Sequence, residues 1–271
     1  MHKASLKKYL RRLLEGRAEL QPLFEALHQL SLVGMGYGSA CSDSNSDRLV
    51  VRYLAQQVRN RVIPVVFDVG ASIGHYTLDV LSVFGKDVTL YCFEPSSTAF
   101  AELSRKLKVH NNVKVYNYGL GEKNEMVTLY SPSPGSDFGS IYPRHLTHIG
   151  VDVEYAEDVK LICLDDFCQA NGISHIHLLK LDAEGNELNI LKGGKRLIQS
   201  FSIDLIQFEL GRAHIDARVY FKDFFYFLNK NYQIHRASSN GFIRMNDYEE
   251  AFEIFKTTNY LALSRKYKDS Q

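Results

Sequence analysis

At 271 residues, the chain is long enough for one large α/β domain or two small ones. Hydrophobic residues at 45% and charged residues at 23% are ordinary for a globular protein and exclude a disordered chain. A formal net charge of +1 supplies no strong field to draw the protein to nucleic acid or an anionic membrane.

The N-terminus, MHKASLKKYLRRLLEG, is basic, and Leu6, Leu10, Leu13 and Leu14 fall at helical spacing. It reads as a docking helix with a solvated basic face, with a membrane-surface helix as the alternative. It lacks the uninterrupted apolar core of a signal peptide. No window of about 18 apolar residues occurs, so no transmembrane helix is expected. Helices are predicted over 5–15, 18–30 and 47–59, making residues 1–60 an N-terminal helical segment ahead of an α/β domain at 61–271. Between the last two helices, GMGYGSACSDSNSD reads as a loop that could fold over a ligand. Cys41, Cys92, Cys163 and Cys168 form no C-x-x-C pair and read as reduced thiols of a cytoplasmic protein.

From Ile63 the pattern becomes strand, helix, strand. The apolar run Val65, Val66, Phe67 ends in Asp68, and a glycine loop (Gly70, Ala71, Gly74) then opens a helix over 76–84. VTLYCFEP at 88–95 is a second buried strand, and Ser96 or Ser97 can cap the next helix, through about 109. VKVYNYGLG at 113–121 is predicted as the third strand, followed by a β-rich excursion through 163. Then come HLLKLD, a helix over 186–199, IDLIQFEL, a helix over 220–229, the strand YQIHRA, a hairpin at Asn240–Gly241 and a last strand, NYLALSRK. Alternating elements imply an α/β fold: a mostly parallel sheet, helices on both faces, and an antiparallel edge strand.

The glycine loop reads D-x-G-x-x-x-G, without the central glycine that lets a dinucleotide pyrophosphate approach. That argues for a nucleoside ligand without phosphates, of which S-adenosylmethionine is the common one. Asp68 could bond loop amides or meet the ligand's positive amino-acid portion, and Tyr76 lies in the same run. Glu94 ends the second strand, where an acid accepts hydrogen bonds from both ribose hydroxyls. It would do so for NAD as well.

The second chemical cluster is Lys180-Leu181-Asp182-Ala183-Glu184-Gly185-Asn186-Glu187. Period two on a strand end points Lys180, Asp182 and Glu184 to one side. A carboxylate here could take a hydroxyl proton, position a substrate, bind a divalent ion or favour a helix N-terminus. Gln207 and Glu209 alternate on the next strand and need either the site or an internal partner. His75 reads as a local hydrogen-bonding group, and His175 and His177 as strand-edge residues with no metal set. Phe138, Tyr142 and Arg144 lie in a candidate substrate-covering loop.

The runs FDVGASIGHYT, FEPS, LKLDAEGNELNILKGG, IQFELG and NYLAL resemble the FkbM family of S-adenosylmethionine-dependent methyltransferases in order and spacing. The resemblance covers roughly residues 32–265, and its most specific part is the acidic run ending in Glu187. It implies a Rossmann-like sheet of seven strands with the last antiparallel, and O-methylation of sugar hydroxyls or natural products. Asp68, Gly70 and Gly74 would hold the methionine part and Glu94 the ribose, with Asp182 and Glu184 facing the transfer site. Ser72 departs from the family's usual asparagine.

The expectation is therefore a methyltransferase with S-adenosyl-L-methionine as cofactor and a small-molecule or glycan acceptor. No nucleic-acid partner is expected; homo-oligomerisation and a metal requirement stay open. The rivals are an NAD(P)-dependent oxidoreductase and a non-catalytic protein retaining the fold.

Overall fold

The computed structural model describes residues 8, 9, 11, 13–38, 46–58 and 62–268. Residues 5–7, 10 and 12 of the helix expected over 5–15, residues 39–45 of the long loop (Cys41 among them) and Arg59 lie outside the described residues.

A short 3-10 turn at Ala18–Leu20 leads into α1 (Gln21–Gly34), and α2 spans Ser46–Val58. The first half of the sheet then builds from β1 (Val65–Val69), α3 (His75–Phe84), β2 (Thr89–Phe93), α4 (Ser97–Leu107) and β3 (Val113–Tyr116). An insertion contains β4 (Gly119–Gly121), β5 (Glu125–Ser131), β6 (Tyr155–Cys163) and α5 (Leu164–Ala170). The second half follows with β7 (Ile176–Leu181), α6 (Glu187–Gly193), α7 (Lys195–Gln199), β8 (Ile203–Leu210), α8 (Ala213–Ala217) and α9 (Phe221–Leu228). It closes with β9 (Tyr232–Ser238), β10 (Gly241–Arg244), β11 (Thr258–Ser264) and α10 (Arg265–Lys268).

The main sheet has eight strands in the order β10-β9-β11-β8-β7-β1-β2-β3. β3, β2, β1, β7 and β8 run parallel, and β11 is antiparallel to both β8 and β9. The hairpin turn adds β10 at the edge, antiparallel to β9, so the strand count is one more than the seven expected. The last strand, β11, is antiparallel as expected and lies inside the sheet between β8 and β9, while β10 is the antiparallel edge.

Alternation along the buried strands divides the core between two faces. Phe67, Val69, Leu179, Leu181, Ile206 and Phe208 pack with the aromatic face of α9 (Phe221, Phe224, Phe225) and with α6. Val66, Leu90, Leu178 and Leu205 pack with α3, α4 and Val50, Val51 and Leu54 of α2. The helix over 46–58 is thus part of the sheet's own core.

Two expected elements are broken by local chemistry. The third strand divides after Tyr116: β3 pairs with β2, while β4 leaves the main sheet and joins β6 and β5 in a second, three-stranded sheet. Asn117 holds the departure by donating to the carbonyls of Glu94 and Pro95 (both 3.1 Å). The helix expected over 186–199 is two, because Asp165 accepts from the N–H groups of Arg196 (2.8 Å) and Leu197 (3.1 Å) and so starts α7 as a new helix.

Candidate active site

Register on the α2/α3 face lays polar residues across the strands in two adjacent rows. Asp68 pairs with Lys180, and Lys180 with Gln207. Just past the Leu181–Phe208 pair that ends this register come Asp182 and Glu209, with Asn259 in register with Glu209. A row of polar groups under helices is costly unless each finds a partner.

The lower row is satisfied internally. Asp68 is fully buried, accepts from Thr77 Oγ1 (2.7 Å) and pairs with Lys180 Nζ (3.1 Å). Lys180 also donates to the Gly70 carbonyl (3.3 Å), lies 3.4 Å from Asp182 and sits 5.3 Å over the Tyr76 ring. Burial alone would lower the Lys180 ammonium; Asp68, Asp182 and Asp47 more than offset this and raise it, so it stays charged. Tyr76 donates to Gln207 (2.9 Å), which donates to Asp47 (2.6 Å), as does Asn259 (2.7 Å).

Above this row opens a cavity of about 630 Å³ at the carboxyl ends of the parallel strands. Gly70, Ala71, Tyr76, Glu94, Asp182 and Glu184 line it, together with Asp47, Lys180 and Glu209. Asp68 does not line it; the fully buried carboxylate acts one layer below, through Lys180 and Thr77. At Gly70 φ is +74°, and a Cβ there would overlap the Asp182 carbonyl oxygen, so only glycine lets the loop cross the end of β7. Ser72, at φ +44°, donates its hydroxyl to Asp137 (2.7 Å) in the insertion.

Glu94 faces the loop end of the cavity. Its two oxygens accept the N–H groups of Ser72 (2.8 Å) and Ser96 (2.8 Å), and Ser96, though at the N-cap of α4, makes no side-chain capping bond. Burial pushes the Glu94 carboxyl up to about 7, against the pull of those amides.

The opposite end carries the acids. The Asp182 side chain is 39% exposed to the cavity, and burial raises its carboxyl despite Lys180. Glu184, at φ +46°, pairs with Arg144 (2.9 Å); burial, then Asp182, pushes it up to about 8. Glu187 turns inward. It accepts from Ala183 N (2.7 Å) and Gly185 N (3.0 Å) and meets His214 (2.9 Å), which together clip the loop that presents Asp182 and Glu184. Burial would raise Glu187, but His214 and the amides outweigh it and hold it low.

The insertion covers the cavity with Ser136, Asp137, Phe138, Ile141 and Arg144, whereas Tyr142 accepts from Asn189 (2.8 Å) outside the lining. His75 lines the cavity at the start of α3. Asp47 was not assigned from sequence, and nothing in the local pattern marks it: only the packing of α2 on β11 brings it there.

At the other end of the sheet, His175, His177 and Asp204 place one ligand atom each within 4.8 Å of one another, a grouping their separation in sequence hides. Val65 N donates to His177 Nδ1 (3.0 Å), which puts the ring proton on Nε2 and leaves no lone pair for an ion while that bond persists. His175 instead meets Asp204 at 2.9 Å.

This sheet order, with a ligand cavity at its switch point, is the Rossmann-like methyltransferase fold. The chain belongs to the FkbM methyltransferase family, whose domain, described as "Methyltransferase FkbM domain", matches residues 68–243. It is 25% identical over 170 residues to Hexuronic acid methyltransferase AglP of Haloferax volcanii, covering 62% of this chain and 65% of that one. With 2-O-methyltransferase NoeI of Sinorhizobium fredii it shares 26% identity over 144 residues, 50% of this chain and 59% of the relative. These matches span under two thirds of either relative's length. A crystal structure of Methyltransferase FkbM from Methylobacillus flagellatus covers 74% of this chain and 43% of its own, at 18% identity and a TM-score of 0.43.

Proposed function

We propose that the chain is an S-adenosylmethionine-dependent O-methyltransferase acting on a hydroxyl of a sugar, glycan or natural product. The observation that carries this reading is one cavity lined by the Gly70 loop, with Glu94 to one side of that loop and Asp182, Glu184 and Glu209 to the other. The residues fit the cofactor. Glu94 offers the remaining lone pairs of both oxygens to ribose hydroxyls, and Gly70 and Ala71 offer a close backbone to the methionine part. Asp68 positions this loop through Lys180. The bound cofactor supplies an activated methyl, and the chain's own residues orient the acceptor and take its proton.

Asp182 and Glu184 face the acceptor. Phe138 and Arg144, 5.8 Å apart over the ring face, give a polyhydroxylated ring an apolar surface beside a charged edge. The hexuronic acid in the name of AglP and the 2-O-methyl transfer in that of NoeI agree with this choice. A dinucleotide is disfavoured, since its pyrophosphate would meet the Ser72 side chain and the Asp137 carboxylate bonded to it.

Among the described residues no helix is long and apolar enough to cross a membrane, and we place the reaction in the cytoplasm with a glycan or small-molecule acceptor. The catalytic unit takes in α2, which brings Asp47 to the cavity wall. Incubation with methyl-labelled S-adenosylmethionine and host extract is expected to label a carbohydrate-containing fraction. Tight NADH binding without S-adenosylhomocysteine binding would overturn the assignment.

A further inference from the structure

We propose that Glu209 is the group that answers the positive charge of the incoming sulfonium and then takes the acceptor hydroxyl's proton, an inference resting on the methyltransferase reading above. The carboxylates around the cavity differ in how they are engaged. Glu94 holds two backbone amides, and Asp137 holds the Ser72 hydroxyl. Asp47 holds the side-chain amides of Gln207 and Asn259. Asp182 faces Lys180 at 3.4 Å, and Glu184 faces Arg144 at 2.9 Å. Glu209 also lines the cavity, yet among the described residues it has neither a hydrogen bond nor an ion pair.

Its surroundings explain why a cation is wanted there. Asp182 follows β7 directly, Glu184 lies on the loop above and Glu187 opens α6; β11 sets the uncharged Asn259 in register with Glu209, and α2 contributes Asp47 to the same cavity. The cations on these elements are committed: Lys180 to Asp68 and Asp182, Arg144 to Glu184 and Asp216, and His214 to Glu187. Arg212, just past the strand, is exposed at the cavity wall, where its charge acts on Glu184. Burial, then the three neighbouring acids, raise the Glu209 carboxyl well above the usual range and so favour its protonated form while no cation faces it.

A sulfonium entering the cavity favours the ionised form, and the proton leaves to solvent. During transfer the C–S bond breaks with its electron pair kept by sulfur. An acceptor oxygen lone pair forms the new C–O bond, and the hydroxyl proton passes to Glu209. Sulfur loses its positive charge as the carboxylate gains a proton, so the net charge of the cavity is the same before and after.

The test is titration calorimetry with S-adenosylmethionine and S-adenosylhomocysteine, at neutral pH, in two buffers of unlike ionisation enthalpy. The two ligands differ by the sulfonium methyl. The wild-type protein is expected to release up to about one proton more with the sulfonium ligand. Glu209→Gln is expected to erase that difference, keep S-adenosylhomocysteine affinity within about threefold, and lower turnover by about a hundredfold. Glu209→Asp is expected to restore part of both effects. A sulfonium-specific proton release that persists in Glu209→Gln, or is missing from a wild-type protein that binds both ligands, overturns the proposal. Failure of the folded wild-type protein to bind either ligand overturns the methyltransferase reading itself.

Discussion

Glu94 reports on the site more directly than any other single residue, because its carboxylate both builds the loop and faces the cavity. Glu94→Ala strands the amides of Ser72 and Ser96 and removes the proposed ribose acceptor. It is expected to weaken S-adenosylhomocysteine binding by about 1–3 kcal/mol, and unchanged affinity would refute the ribose role. The same residue shapes the response to pH. Glu94 and Glu184 sit at about 7 and about 8 in the folded protein, above the usual carboxylate range. The folded state therefore binds more protons than the unfolded one between about pH 4.5 and 8, and stability falls as pH rises through that window. Glu187 is held low and acts in the opposite sense, with stability lost as pH falls through its own titration. The ligand-free protein is thus expected to melt at a higher temperature near pH 5.5 than at pH 8. Glu94→Gln should flatten part of that slope in a thermal scan. Strand-end position alone marked Asp68 and Glu94, since chemistry collects at the carboxyl edge of a parallel sheet. It could not reveal that Asp68 lies below the cavity surface, which depends on Lys180 reaching across from a strand more than a hundred residues away.

At the level of elements, α2 joins the core to the site. Asp47 accepts from both Gln207 and Asn259, so it ties the helix to β8 and β11 at once. Asp47→Ala leaves the Gln207 amide without an acceptor and Asn259 with only Ser46 Oγ (3.1 Å), and is expected to cost about 1–3 kcal/mol, read as a lower urea midpoint at unchanged m-value. Hydrophobic periodicity made α2, α3, α4 and α9 legible, and unbroken apolar runs did the same for β1, β2, β7 and β8. The failures share a cause: each break depends on a distant side chain. Asn117 bonds back to the β2–α4 connection and diverts β4, and Asp165 starts α7 from another element. A local pattern carries no record of such bonds.

Across the whole molecule, the cavity lies where the carboxyl edge of the large sheet meets the insertion carrying the small one. The strands that hold its floor are central and buried, whereas its cover is the connection between β5 and β6, pinned by Ser72–Asp137, Ser140–Glu184 and Arg144–Glu184 contacts. Hydrogen exchange is expected to be slowest in β1, β7 and β8 and fastest over residues 132–154, with the latter slowing when S-adenosylhomocysteine is added. Equal protection of cover and floor without ligand would contradict this division.

The interior position of β11 also constrains the order of assembly. Because β11 separates β8 from β9, the β9–β10 hairpin has no partner in the sheet until a segment that follows it in the chain has arrived. A nascent chain ending before Thr258 would therefore display two open strand edges at once, on β8 and on β9. It would also lack Asn259, one of the ties that seat α2. Completing the sheet and seating α2 at the cavity wall thus both require the same C-terminal strand.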